Sequence, residues 1–209
     1  MAGTPSLFIR TSGCNLRCAW CDTPYTSWNP EGRRVDVRAL LSLATASRCH
    51  HVVITGGEPL LQRELALLTG GLAANGHHIT VETAGTLVRE FECHLLSVSP
   101  KTSNSDPDGP WRERHQALRG RLEVLTRLLA RHPEHQLKFV VRGEEDMPEI
   151  LEVVAHLAVP HERVLLMPEG RTAAEVASRA SSVARECLRH GFRYSPRLHL
   201  DLFGPQRGV

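Results

Sequence analysis

Three cysteines stand within eight residues of one another, in Cys14-Asn15-Leu16-Arg17-Cys18-Ala19-Trp20-Cys21. The spacing is C-x3-C-x2-C, and it follows an apolar run, Ser6-Leu7-Phe8-Ile9-Arg10. Three thiolates this close can hold three irons of a cubane cluster on one short loop. Iron–sulfur clusters usually take four cysteines, so a three-cysteine loop leaves one iron open to a small molecule. S-adenosylmethionine (SAM), a source of radicals, commonly fills that position. The same spacing also fits a structural zinc site completed by one of the twelve histidines, since Cys3His sets use short cysteine spacings too.

Further residue types suited to chemistry follow at intervals: Thr55-Gly56-Gly57-Glu58-Pro59, Val81-Glu82-Thr83-Ala84-Gly85-Thr86, Ser97-Val98-Ser99-Pro100-Lys101, Lys138 with Arg142, and Met167-Pro168-Glu169-Gly170. Gly56 and Gly57 lack a Cβ and let backbone approach a ligand closely. Glu58 suits an amino group as acceptor, and Ser99 and Lys101 suit a carboxylate. An amino group and a carboxylate are what a bound aminoacyl moiety presents.

The elements that must position these residues alternate. Apolar, β-branched runs predict strands near Leu7–Arg10, His51–Thr55, Ile79–Glu82, His94–Ser97, Gln136–Arg142 and Arg163–Met167. Helical periodicity predicts helices at about Val37–Ala46, Arg63–Asn75, Ala117–Arg131, Asp146–Leu157 and Thr172–His190. Asp36 and Thr172 are good N-caps, and Gly76 and Gly191 fall where a helix should stop. Lys101–Arg114 is rich in Ser, Asp, Pro and Gly without periodicity, so residues 101–114 read as a long surface loop. Strand–helix alternation argues for right-handed βαβ units and a parallel sheet. About six such units are too few for a closed eight-unit barrel, which takes about 250 residues. The expected fold is therefore α/β, a shortened, open partial (β/α) barrel in one domain spanning 1–209. Every cluster named above then lies at the C-terminal end of a strand, the face that carries the site in parallel α/β architectures.

Composition narrows the function further. The chain has 209 residues and a formal net charge of +2; it shows no basic block for nucleic acid and no acidic tail. No run of about eighteen apolar residues would span a membrane, and the start lacks the pattern of a secretory signal. These features lead to the expectation of a cytoplasmic chain, where cysteines bind metal or do chemistry more often than they crosslink. Cys49, Cys93 and Cys187 are scattered and read as small buried hydrophobes.

The C-x3-C-x2-C loop followed by Gly-Gly-Glu-Pro resembles the radical SAM superfamily. Within it, Phe8 to Leu16, Trp20-Cys21-Asp22-Thr23, Thr55 to Pro59, Glu82 to Thr86, Ser99-Pro100-Lys101, Leu166 to Gly170 and Arg197-Leu198-His199 resemble the 7-carboxy-7-deazaguanine synthase family. The resemblance runs in order over nearly the whole chain. It implies a radical ring contraction of 6-carboxy-5,6,7,8-tetrahydropterin to 7-carboxy-7-deazaguanine, with loss of ammonia, on the route to queuosine and related deazapurines. It implies a [4Fe-4S] cluster on Cys14, Cys18 and Cys21, with SAM held by Gly56, Gly57, Glu58, Thr83, Ser99 and Lys101. It further implies Mg2+ on the hydroxyl of Thr23, and substrate contacts from Arg10, Gly57 and His199. A homodimer and a flavodoxin- or ferredoxin-type electron donor complete the set.

The chain departs from that family twice. Ala84 stands where the family usually has Asn, and a lost side-chain hydrogen bond costs about 1 kcal/mol. Family members also carry a segment ending in Gln-Gly-Glu-Gly upstream of the first strand, whereas here Met1 lies a few residues before it. The expectation is a natural start further upstream and poor pterin turnover by the chain as given. Another small radical SAM enzyme, such as an activase that takes hydrogen from a glycine of a partner protein, fits Cys14–Cys21 and Gly56–Pro59 equally well. A zinc-bound, non-catalytic interaction domain is the rival from another class. Asp22-Thr23 and the His199 segment favour the metal-assisted pterin site.

Overall fold

The structure is a computed structural model that describes residues 2–207. Seven parallel strands form one open sheet whose spatial order is the chain order: β1 (Ser6–Thr11), β2 (His51–Gly56), β3 (His78–Thr83), β4 (Leu95–Val98), β5 (His135–Val141), β6 (Val164–Pro168) and β7 (Arg193–Tyr194). Each strand pairs in parallel with the next. The helices are α1 (Pro24–Ser27), α2 (Val37–Ser47), α3 (Leu65–Ala74), α4 (Arg112–Leu118), α5 (Leu122–Leu129), α6 (Met147–Leu157), α7 (Ala173–His190) and α8 (Leu198–Phe203). The result is the expected open partial barrel with one strand more than the sequence suggested. Strand β7 is only two residues long, too short to leave a periodic signal.

Period-two alternation divides the strands into two faces. On one, Val52, Ile54, Ile79, Val81, Leu96, Val98, Leu137, Phe139, Val141, Val164 and Leu166 form the core with Leu68 and Leu72 of α3, Leu125 and Leu128 of α5 and Val183 of α7. Truncating one of these fully buried side chains, such as Leu125→Ala, costs about 2–5 kcal/mol. The alternate positions carry Arg10, Thr55, Thr80, Glu82, Ser97, Gln136 and Lys138, a polar face bonded strand to strand. Gln136 Nε2 donates to Ser97 Oγ at 3.0 Å, and His51 Nε2 lies 2.8 Å from Thr80 Oγ1.

Helix ends follow local chemistry. Thr172 and Glu175 close a capping box on α7, and Gly191 ends it in the left-handed conformation. Asp36 caps α2 by accepting from Arg38 N at 2.7 Å. Two expectations need correction. The single helix expected over Ala117–Arg131 is two helices, α4 and α5, because Gly120 turns the chain with φ of +58°. The leucine stripe hid that break: Leu118 and Leu122 keep helical spacing across it. The expected surface loop at 101–114 is surface only in its second half. Thr102, Ser105 and Pro107 are buried, and short 3-10 turns occupy Ser103–Ser105 and Gly109–Trp111. The segment packs inward because it carries the partners of the cysteine loop.

Candidate functional site

All six expected strands end in the clusters named above, so the sheet gathers them at one end. The cysteine loop leaves β1 and is laced to the Gly-Gly-Glu segment by backbone. Gly57 N donates to Thr11 O at 3.0 Å, Glu58 N to Gly13 O at 2.9 Å, and Gly13 N to Thr26 O at 2.9 Å. A Cβ on Gly57 would lie 2.1 Å from Gly13 O and 2.7 Å from Thr26 O; on Gly56 it would lie 2.2 Å from Thr11 O. These glycines thus let the chain approach its own backbone, a second use beside the one expected against a ligand. Sequence spacing alone could not tell the two apart.

The cysteine loop is also held from the far side. Arg17 N donates to His115 Nδ1 at 3.0 Å, Ala19 N to Ser105 O at 3.0 Å, and Trp20 Nε1 to Asn104 Oδ1 at 3.1 Å. The Arg17 guanidinium donates to Cys14 O and Leu16 O and stacks 4.6 Å from the Trp111 ring. Cys14, Cys18 and Cys21 are all free thiols, with Cys18 buried. Burial pushes the Cys14 thiol up to about 11 and the Cys18 thiol up to about 12; Cys21 adds to both rises, and Cys14 to that of Cys18. Bare, the Cys14 and Cys18 thiols are neutral; a bound metal cation supplies the charge that makes a coordinating thiol a thiolate. Among the described residues no three His, Cys, Asp or Glu side chains converge on a single metal ion. One thiolate to each of three irons is the arrangement that a short shared loop can serve.

Glu58 and Thr83 sit together, but their side chains mainly serve each other. Glu58 is completely buried; Oε1 accepts from Leu60 N (3.0 Å) and Thr83 Oγ1 (2.7 Å), and Oε2 from Ala84 N (2.9 Å). Thr83 Oγ1 in turn accepts from Gly85 N at 3.0 Å. Burial raises the Glu58 carboxyl above its ordinary range against the pull of these bonds. A ligand amino group therefore has one acceptor position left on Oε2, not an open carboxylate. Ser99 and Lys101 are half-buried, with Lys101 Nζ on Ser99 Oγ at 2.6 Å and on Ser99 O at 3.0 Å.

Three groupings escaped sequence reasoning. Glu82 accepts from Lys138 Nζ at 2.5 Å and from Thr55 Oγ1 at 3.1 Å on the polar face. Burial alone would raise the Glu82 carboxyl, but Lys138, Thr55 and Arg10 outweigh it and hold it low. Asp22 forms an ion pair with Arg197, which precedes α8. Desolvation opposes ionisation of Asp22, yet Arg197, Arg10 and Lys101 keep its carboxyl below the usual range. His199 is exposed on α8; desolvation first, then Arg197 and Arg10, push its imidazole down. Arg10, Asp22, Arg197 and His199 thus meet at one mouth, with half-buried Thr23 beside Asp22. The third is His115, which had no signal because its partner Arg17 is 98 residues away.

An open parallel β/α sheet with this three-thiol loop at its strand ends defines a radical SAM enzyme, and residues 8–157 match the Radical SAM superfamily. A 7-carboxy-7-deazaguanine synthase from Halobacterium salinarum is 45% identical, over 97% of this chain and 84% of its own length. QueE from Escherichia coli superposes with a TM-score of 0.65 and 26% identity, over 93% of this chain and 86% of that one. SuiB from Streptococcus suis, solved bound to S-adenosylmethionine, shares the fold at TM-score 0.64 and 13% identity, over 93% of this chain and 50% of its own. Within the superfamily, the chain belongs to the 7-carboxy-7-deazaguanine synthase family.

Proposed function

We propose that this enzyme converts 6-carboxy-5,6,7,8-tetrahydropterin to 7-carboxy-7-deazaguanine with release of ammonia, in a queuosine or related deazapurine pathway. The observation that carries this reading is the cationic mouth of Arg10, Lys101 and Arg197 beside three free thiols, with Asp22-Thr23 between them. A substrate with a carboxylate and a polar ring suits such a mouth; a glycine of a partner protein has no use for it.

Cys14, Cys18 and Cys21 would hold a [4Fe-4S] cluster. When bound, the cluster and SAM supply the radical that starts the reaction. The Gly56-Gly57-Glu58 segment and Ser99 would receive the amino and carboxylate ends of SAM, with Thr83 fixing Glu58 and Lys101 fixing Ser99. Arg10 and His199 would meet the substrate, Gly57 would border it, and Thr23 would offer its hydroxyl to Mg2+, a hard cation that prefers oxygen and keeps several waters. A flavodoxin- or ferredoxin-type donor would supply the electron to a cytoplasmic homodimer. No helix among the described residues is long and apolar enough to cross a membrane.

The test is anaerobic reconstitution with iron and sulfide, then incubation with SAM, a reductant and the tetrahydropterin. Broad visible absorbance, 5′-deoxyadenosine and 7-carboxy-7-deazaguanine are expected. SAM cleavage without the deazapurine would overturn the pterin reading and leave the enzyme class intact. Full SAM cleavage by Cys18→Ala would overturn the cluster assignment.

A further inference from the structure

Ser27 ends α1 and is 3% exposed, with its Oγ 3.2 Å from Cys21 Sγ. A serine or threonine hydroxyl within a helix commonly turns back to a carbonyl three or four residues earlier. Ser42, Ser47, Ser178 and Ser182 do so here, and Thr26, beside Ser27, donates to Thr23 O at 2.9 Å. Ser27 does not. Among the described residues its hydroxyl has one partner, the Cys21 sulfur.

The sulfurs of the loop are served unequally. Cys14 Sγ accepts a backbone N–H, from Leu16 at 3.4 Å, whereas Cys21 Sγ meets the Ser27 hydroxyl, with that of Thr23 farther off at 3.8 Å. Between a thiol and a hydroxyl either atom can donate. Once Cys21 is a thiolate on iron it has no proton, and the bond has one polarity: Ser27 Oγ–H donates and the sulfur accepts.

Such a bond strengthens as the sulfur becomes more negative, and more so where water is excluded. One-electron reduction adds a unit of negative charge to a cluster and its thiolates. Ser27 keeps its proton throughout, and no bond is made or broken. The donor therefore stabilises the reduced state more than the oxidised one. Hydrogen bonds to the sulfurs are among the levers that set the potential of an iron–sulfur cluster.

Resting on the cluster assignment proposed above, we propose that Ser27 is a positioning residue that acts through Cys21. Its buried hydroxyl donates to the Cys21 thiolate and raises the reduction potential, which eases entry of the electron that SAM cleavage consumes.

The experiment uses the reconstituted enzyme without SAM, titrated with dithionite through redox mediators while the electron paramagnetic resonance signal of the reduced cluster is followed. Ser27→Ala removes only the hydroxyl. Its reduction equilibrium should fall by about tenfold, or about 59 mV for one electron, at the low end of losses for groups behind a metal ligand. Iron per chain should match the parent. Ser27→Thr keeps a hydroxyl on the same Cβ and should bring the midpoint back toward the parent value. Should its added methyl prevent cluster uptake, resonance Raman spectra in D2O decide. The iron–sulfur stretching bands should then shift on deuteration more in the parent than in Ser27→Ala, and equal shifts overturn the proposal. An unmoved midpoint in Ser27→Ala also overturns it, as does loss of iron there, which would make the role structural. A fully loaded Ser27→Thr that recovers none of the midpoint does the same. A parent that takes up no cluster sinks the cluster assignment and this proposal with it; a loaded parent with the same midpoint as Ser27→Ala sinks this proposal alone.

Discussion

The buried imidazole of His115 accepts the backbone N–H of Arg17 at Nδ1, 3.0 Å away, and so ties the chain between Cys14 and Cys18 to the start of the second half of the barrel. Because Nδ1 accepts, the ring is the neutral tautomer with its proton on Nε2, 3.0 Å from Ser105 Oγ. Ser105 Oγ donates to Thr102 O at 2.7 Å, and the Ser105 carbonyl accepts Ala19 N–H. Both neighbours of Cys18 are thus held by one polar network.

His115→Ala should therefore loosen the cysteine loop as well as lower stability. Leaving Arg17 N–H unpaired costs about 1–3 kcal/mol, and the vacated ring volume adds to that. Iron per chain after reconstitution should fall, and trypsin should cut the apoprotein faster after Arg17. His115→Gln, whose carbonyl can accept the same N–H, should recover part of both. Unchanged iron loading and cleavage rate in His115→Ala would show that the network does not organise the loop.

Gly57→Ala should be far more damaging than its one added methyl suggests. The atoms it would strike, Gly13 O and Thr26 O, are backbone held in hydrogen bonds, so neither can yield cheaply. Adding a methylene to a packed interior typically costs about 1–3 kcal/mol, and here the strain falls on the cysteine loop itself. Thermal denaturation and iron content should both drop. Gly70→Ala serves as control, since nothing lies within 4 Å of a Cβ there; a variant at Gly57 that melts with the parent would refute the close approach.

The glycine pair shows where the sequence is readable and where it is not. The strand ends, cysteine spacing and strand–helix rhythm are local patterns, and they located the site-bearing edge of the sheet. What Gly57 and Glu58 touch depends on Gly13, Thr83 and Ala84, which come close only after β1, β2 and β3 align. The Asp22–Arg197 pair spans 175 residues, and the inward turn of Thr102–Ser105 answers a cysteine loop about 80 residues earlier. Contacts of that range are set by register, and no single window of sequence holds both partners.

Stability should fall on mild acidification, before the carboxylates titrate. His51 lies between Ser6 Oγ (2.7 Å) and Thr80 Oγ1 (2.8 Å), its ring 5.0 Å from His78, which stacks 4.9 Å from His94. Burial first, then neighbouring histidines, push His51 and His78 down, and burial pushes His115 and His132 down too. A base whose folded pKa lies below its unfolded value binds fewer protons when folded. Its stabilising contribution is full above the ordinary histidine value of about 6.5 and is lost as pH falls through the folded pKa. Melting temperature should hold from pH 8 to 7 and decline toward pH 5. His78→Gln should flatten that decline; an unaltered slope would place the acid sensitivity elsewhere.

Thr23 is the remaining group whose role can be isolated. It is half-buried, follows Asp22, and its Oγ1 lies 3.8 Å from Cys21 Sγ, so it borders both the thiols and the cationic mouth. Octahedral Mg2+ needs few protein ligands when waters and substrate oxygens supply the rest. Thr23→Ala should raise the Mg2+ concentration needed for half-maximal pterin turnover by at least about tenfold, the lower end of losses recorded for groups one shell further out. Thr23→Ser should restore it, because the hydroxyl and not the methyl is at issue. Cleavage of SAM without pterin should stay near the parent rate in both variants, since all three cysteines are kept. If Thr23→Ala titrates with Mg2+ as the parent does, the ion is not held there. Asp22, whose carboxylate is the nearest acidic oxygen in sequence, would then be the next residue to vary.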